Sequence, residues 1–144
     1  LYRLLHWQRW RTAGVPLLWS LHLSYLCIPL TLIALALVAG EPVLEKHAMH
    51  QLAIGTVGGM ILSMMSRVAL GHSGRPLEIP RYLALAFALL LFAAFTRSVL
   101  PMLLPATSTL AWRISAWSWV AAFALFLWYY VPILTRARID GKDG

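Results

Sequence analysis

Charge is the scarcest property of this chain. Only 12% of its 144 residues are Asp, Glu, Lys or Arg, about half the share of a soluble domain. The acids are Glu41, Glu45, Glu78, Asp140 and Asp143. All lie in links between apolar stretches or in the tail, so no span carries a carboxylate for proton relay. A single cysteine, Cys27, excludes an internal disulfide, and no CxxC or zinc spacing is present. It reads as a packing thiol. Period-two alternation is missing from the long uncharged runs, which favours helix over strand. There is no domain-sized internal repeat and no low-complexity linker. Nor is there an initiating Met or a cleavable signal peptide, and the chain is expected to be part of a longer protein.

What remains is apolar. Hydrophobic residues make up 60% of the sequence. Four stretches approach the ~20 residues that a helix needs to cross the hydrocarbon: about 17–39, 47–70, 82–104 and 109–134. The links "GEPVLEK", "GHSGRPLEIPR" and "PATS" are short and contain Gly or Pro. The expected fold is all-α: a polytopic bundle of four up-down transmembrane helices in one domain, with the lipid bilayer as its solvent. The net charge of +7 does not point to nucleic acid, because the basic residues are scattered between spans. They set topology instead. Nine Lys or Arg lie on one side, in 1–16, around the second link and in the tail, against Lys46, Arg97 and Arg113 on the other. Both termini are therefore expected in the cytoplasm. Residues 1–16, basic and aromatic, are an interfacial helix or the end of a preceding loop, and 135–144 form a cytoplasmic tail.

Pro29, Pro101 and Pro132 sit within or near the ends of spans, where prolines usually kink a helix. At 100° per residue, Gly55, Gly58, Gly59, Gln51, Ser63 and Ser66 fall on one small polar face of the second span. Val57, Met60, Ile61, Met64 and Val68 fall on the other. Gly55 and Gly59 form a GxxxG, suited to close helix packing and also to admitting a flat cofactor. His47 borders the small face, and His50 lies nearer the apolar one. Two histidines at this spacing are a weak metal signal.

The end of the second span is the sharpest local feature. Arg67 lies one turn before the expected stop, Gly71 is expected as the C′ residue, and His72, Ser73, Gly74, Arg75 and Pro76 follow. The guanidiniums suit carboxylates or phosphates, such as haem propionates or an anionic lipid headgroup. His22 lies inside the first span, with Tyr25 and Pro29 on its side of the helix. An ionisable group there calls for a functional hypothesis. The topology sets His22 and His72 at one membrane level and His47 at the other. Imidazole suits haem iron and copper alike, so residue types alone assign neither. Arg97 and Arg113 read as snorkelling cations, with pairing of Arg97 to a cofactor carboxylate near His47 as the sharper alternative. The tryptophans and tyrosines of the last span read as interfacial belts.

The stretch "HAMHQLAIGTVGGMILSMMSRVALGHSGRPL", preceded by "LHLSY" at 21–25, resembles the NnrS family of bacterial membrane proteins. That family carries HAxxxGAxGxMxLxMMTRxxLGHTGRxL after an LHxxY segment. The match is specific over the first two spans; the last two agree in hydropathy. The resemblance implies a haem- and copper-containing protein of the bacterial inner membrane, linked to nitric oxide and nitrosative stress. It also implies a larger bundle of about a dozen helices, the rest supplied by the parent chain. His22, His47 and His72 match family positions and become the metal-ligand candidates. Arg67, Gly71, Gly74 and Arg75 match as cofactor-binding candidates. His50 does not match, and Ser73 stands where Thr is usual. Nitric oxide becomes an expected ligand, although the missing intramembrane carboxylate argues against a self-contained nitric oxide reductase. Two other classes compete: a cytochrome b-like carrier linked to quinol, with His22 and His72 as paired ligands, and a cofactor-free proton-coupled transporter or assembly subunit with histidines as protonation switches.

Overall fold

The computed structural model describes residues 14–139. Most of the basic leader and the last five tail residues, including Arg3, Arg9, Arg11 and Lys142, lie outside that range. Every regular element described is helical: α1 (Pro16–Leu37), α2 (Pro42–His72), α3 (Arg81–Leu103) and α4 (Ser108–Leu134), the last preceded by a 3₁₀ turn at Pro105–Thr107. All four spans are long and apolar enough to cross a membrane.

Proline opens these helices. Pro16 and Pro42 stand in the first turns of α1 and α2, and Pro80 caps α3. The ring fixes φ near its helical value and removes an N–H that would have no partner. Inside α1, α3 and α4 the helix continues through Pro29, Pro101 and Pro132.

The second span departs from the expected boundaries at both ends. It starts at Pro42, so His47 sits in its second turn rather than at its edge. It runs through His72, two residues past the expected Leu70, so Gly71 is helical and is not the C′ residue. Gly74 takes that place with φ of 70°. Its N–H bonds to Gly71 O at 3.2 Å, and Arg75 N–H bonds to Leu70 O at 2.9 Å. This bond pair is a Schellman stop, which needs a left-handed residue one position past the cap. Sequence alone offered two glycines, and the backbone uses the second.

A further departure lies in mid-span. Gln51–Gly58 is π-helical, and Gly59 N–H reaches back to Ile54 O. Such wide turns are rare and concentrate at functional sites. This one coincides with the glycines that let α2 approach its neighbours. A Cβ on Gly55 would stand 2.8 Å from Cys27 Sγ and 3.2 Å from Ala94 Cβ, and one on Gly59 would collide with the Ser24 side chain. Lipid tails are as apolar as leucine, so helices in a bilayer associate by close packing and polar contacts. Small residues accordingly fill the seams: Ser20, Ser24 and Cys27 of α1, Ser63 and Ser66 of α2, and Ala86, Ala93 and Ala94 of α3 are buried. The hydroxyls of Ser20 and Ser63 meet at 2.9 Å. The large residues Ile61, Met64, Val68, Leu32 and Ile33 face outward. The second span lies between α1 and α3, and α4 packs chiefly on α3.

Replacing Gly59 by Val should cost about 1–3 kcal/mol, the usual range for overpacking a tight seam. Gly71→Ala, where a Cβ meets nothing within 4 Å, should leave stability within about 0.5 kcal/mol. Thermal unfolding of both variants in an uncharged detergent checks the contrast; equal melting temperatures would mean that the seam is not tight.

Candidate functional site

The α1–α2 seam fixes the depth of every histidine. The two helices are antiparallel, with Ser20 level with Ser63, Ser24 with Gly59 and Cys27 with Gly55. By that register His22 is level with about Ile61, and His72 lies roughly 16 Å further along the axis at 1.5 Å per residue. His22 also stands about 200° around α1 from Ser20, on the side away from α2. The expectation that His22 and His72 share a membrane level is therefore corrected. Helix register, not distance from the nearest link, sets depth. His47 is further still, toward the other end of the bundle. The three candidate histidines occupy three levels, and among the described residues no three His, Cys, Asp or Glu side chains gather as a metal cage.

Two local sites result, one at each end. At the end that carries the basic loop, Met64, Arg67, Val68, Gly71, His72 and Leu77 line an open pocket of about 360 Å³. His72 is exposed and Arg67 half-buried. Gly71, with nothing near its missing Cβ, keeps the wall between them flat. Arg67, Gly71 and His72 are thus brought together as one surface. Gly74 and Arg75 belong to the stop that ends the helix, where Ser73 Oγ donates to Leu70 O at 3.0 Å and the tail's Ile139 N–H reaches Ser73 O at 3.4 Å. Arg75 is half-buried, and one of its guanidinium nitrogens, Nη1, is buried with no partner.

At the opposite end, His47 and Arg97, both singled out in the sequence, join His50 and Trp112 in the more ordered cluster. His47 is buried, its ring centroid 6.2 Å from that of Trp112, and its Nδ1 has no hydrogen-bond partner. The Arg97 guanidinium lies 4.6 Å over the same indole, within cation–π range. Arg97 therefore turns across to α4 and α2. Its Nη2 stands 3.2 Å from His50 Nε2, and His50 Nδ1 lies 2.7 Å from Lys46 O. A guanidinium is always protonated and only donates. His50 must then be neutral, accepting at Nε2 and donating from Nδ1 to the Lys46 carbonyl. Both its nitrogens are occupied, so His47 and His50 do not form a two-histidine metal clamp as they stand. Arg97 Nη1 is buried and unpaired.

One turn inward, Gln51 bridges three helices. Its amide nitrogen meets Cys27 Sγ at 3.3 Å, and its amide oxygen meets Ser98 Oγ at 2.5 Å. Ser98 Oγ also contacts Ala94 O. A hydroxyl has one proton and cannot donate to both. With the amide turned over, the Cys27 thiol donates to Gln51, Gln51 to Ser98, and Ser98 to Ala94, one donor for each acceptor. The sequence signal for this cluster was a polar residue on a small face, too common to single out Gln51 or Ser98.

His50→Ala should destabilise the bundle by about 1–3 kcal/mol, because it leaves a half-buried guanidinium without its acceptor. The double variant with Arg97→Met should recover most of that loss. A double-mutant cycle on the unfolding midpoint measures the coupling; simple additivity would show that the contact carries no energy.

The comparisons bear on both ends. The sequence model of one family, described as NnrS protein, matches residues 1–138. No curated protein and no solved structure matches the chain.

Proposed function

The chain belongs to the NnrS family, and from that premise we propose that it is a haem- and copper-binding protein of the bacterial inner membrane. Family membership connects it with the response to nitric oxide. The finer reading rests on one observation: Arg67, Gly71 and His72 share one pocket wall with the apolar side chains of Met64, Val68 and Leu77.

That wall fits a flat apolar group that carries carboxylates. A porphyrin supplies the equatorial donors of its own iron, so a lone exposed imidazole is a sufficient protein ligand. His72 would hold the iron. Arg67 offers the paired donors that suit a carboxylate, and Gly71 leaves room for a planar ring. Copper fits less well. It needs several protein donors, and His47 offers one imidazole, while His50 is occupied by Arg97 and Lys46. We assign His47 as the copper-ligand candidate and route no chemistry through it. Ferrous haem or cuprous copper, when bound, supplies the affinity for nitric oxide. The residues of this chain orient the group, neutralise its acids and, through Met64 and Val68, keep its face in an apolar setting. A quinol-linked carrier with paired histidines is less well supported, since the seam separates His22 from His72.

Purified protein in detergent should contain iron, with a reduced-minus-oxidised haem spectrum that shifts with nitric oxide. His72→Ala should weaken the haem bands most. Arg67→Gln should lower haem retention several-fold with the band positions kept. His47→Ala should lower copper content with the haem bands unchanged, and His22→Ala serves as the comparison at a third depth. A folded but colourless, metal-free wild type would end this reading and leave the transporter or scaffold class in its place.

A further inference from the structure

The Arg97 end of the bundle contains a charge with no counter-ion among the described residues. Its Nη2 is engaged with a neutral imidazole and its flat face with Trp112, while Nη1 is buried and unpaired. Among the described residues no carboxylate pairs with it, and the acid on the neighbouring turn, Glu45, accepts from Gly40 N–H at 2.9 Å. An unpaired guanidinium nitrogen out of water costs free energy unless an acceptor arrives. Arg97 lies six residues before the end of α3, roughly 9 Å below it. Its contacts with His50 and Trp112 keep it from reaching out to the headgroup level.

Beside it runs a groove of about 300 Å³ lined by Ile54 of α2, Arg97 of α3, and Trp112, Ser115, Ala116, Trp119 and Val120 of α4. Ser115 turns its hydroxyl inward to Ala93 O at 2.7 Å, so the walls beyond Arg97 are apolar. From Trp112 to Val120 the groove descends roughly 12 Å along α4. Trp112, Trp119 and Val120 stay about two-fifths exposed or more, so the groove is open along its outer side.

A half-buried cation with one unpaired nitrogen, bordering an apolar groove, is complementary to one class of molecule. We propose that Arg97 and this groove hold an amphipathic carboxylate drawn from the bilayer, its acid group at the Arg97 guanidinium and its hydrocarbon body along Ile54, Ala116, Trp119 and Val120. A phospholipid phosphate would sit at the interface, above the level where Arg97 is held. A long-chain acid can sink to it. The site goes beyond the nitric oxide reading and needs no metal, so it stands or falls separately from haem at His72.

The test uses the full chain in uncharged detergent and a dibrominated stearate, whose bromines quench nearby indoles, against its methyl ester. At a pH that ionises the acid, half-quenching should need about tenfold less acid than ester, the scale of a charge-assisted hydrogen bond. Arg97→Gln should remove the difference, and Arg97→Lys should keep part of it. Ala116→Phe, at an exposed position that leaves Arg97 intact, should weaken acid and ester together and guards against misfolding of the arginine variants. Equal quenching by acid and ester in the wild type, or a preference that survives Arg97→Gln, overturns the proposal. So does haem binding that falls with Arg97→Gln, relative to haem dimethyl ester, without any stearate preference; the acid would then come from a porphyrin.

Discussion

The whole arrangement depends on how near the α2 backbone comes to its neighbours at Gly55 and Gly59. A Cβ at either position would meet Cys27, Ser24 or Ala94. In water such an approach would be one packing detail among many. In a bilayer no hydrophobic force draws helices together, and contact of this kind is what holds them. The hydroxyl pair of Ser20 and Ser63 and the contact between Gln51 and Cys27 pin the same seam from either side of the glycines. One register satisfies all of these at once. That register fixes the depth of every polar group on α1 and α2.

Depth then decides chemistry. Along α2, His47 and His72 are separated by roughly 35 Å of helix, and His22 is level with neither. These positions are too far apart to act on one group, so the described residues offer two separate local sites. The wall of Arg67, Gly71 and His72 is open and offers donors to something flat. The cluster of His47, His50, Arg97 and Trp112 is closed and mutually bonded. Two of its polar atoms, His47 Nδ1 and Arg97 Nη1, still lack partners.

Much of this was legible beforehand. Uncharged runs of spanning length marked four helices, and the structure has four helices that meet that standard. The small face of the second span packs inward because glycine and serine admit a neighbouring backbone. The motif running from His47 to Leu77 named the family that matches residues 1–138. What stayed hidden was relational. Gly71 and Gly74 are equally good helix stops on paper, and only the bonds from Gly74 and Arg75 back into α2 choose between them. The π-helical turn has no sequence signature beyond its glycines. Arg97 read as a snorkelling cation because its partners, His50 and Trp112, are 47 residues before it and 15 residues after it in sequence. A charge near a helix end says nothing about which way its side chain turns.

Arg97 also shows why the costly positions of a membrane protein are where its ligands should be sought. A cation within a span is expensive and is kept where something repays it. His50 contributes one hydrogen bond at 3.2 Å and must stay neutral to do so, which in turn uses up the Lys46 carbonyl. Trp112 contributes the face of its indole. Neither carries negative charge, so the compensation inside the described chain is incomplete. Local rules that a fold breaks without internal repayment tend to mark functional sites. Arg113, next to Trp112 in sequence, is exposed and has no such buried, unpartnered nitrogen. The difference between the two arginines is the buried, unpaired Nη1 of Arg97, and the proposed amphipathic acid is the group that would answer it.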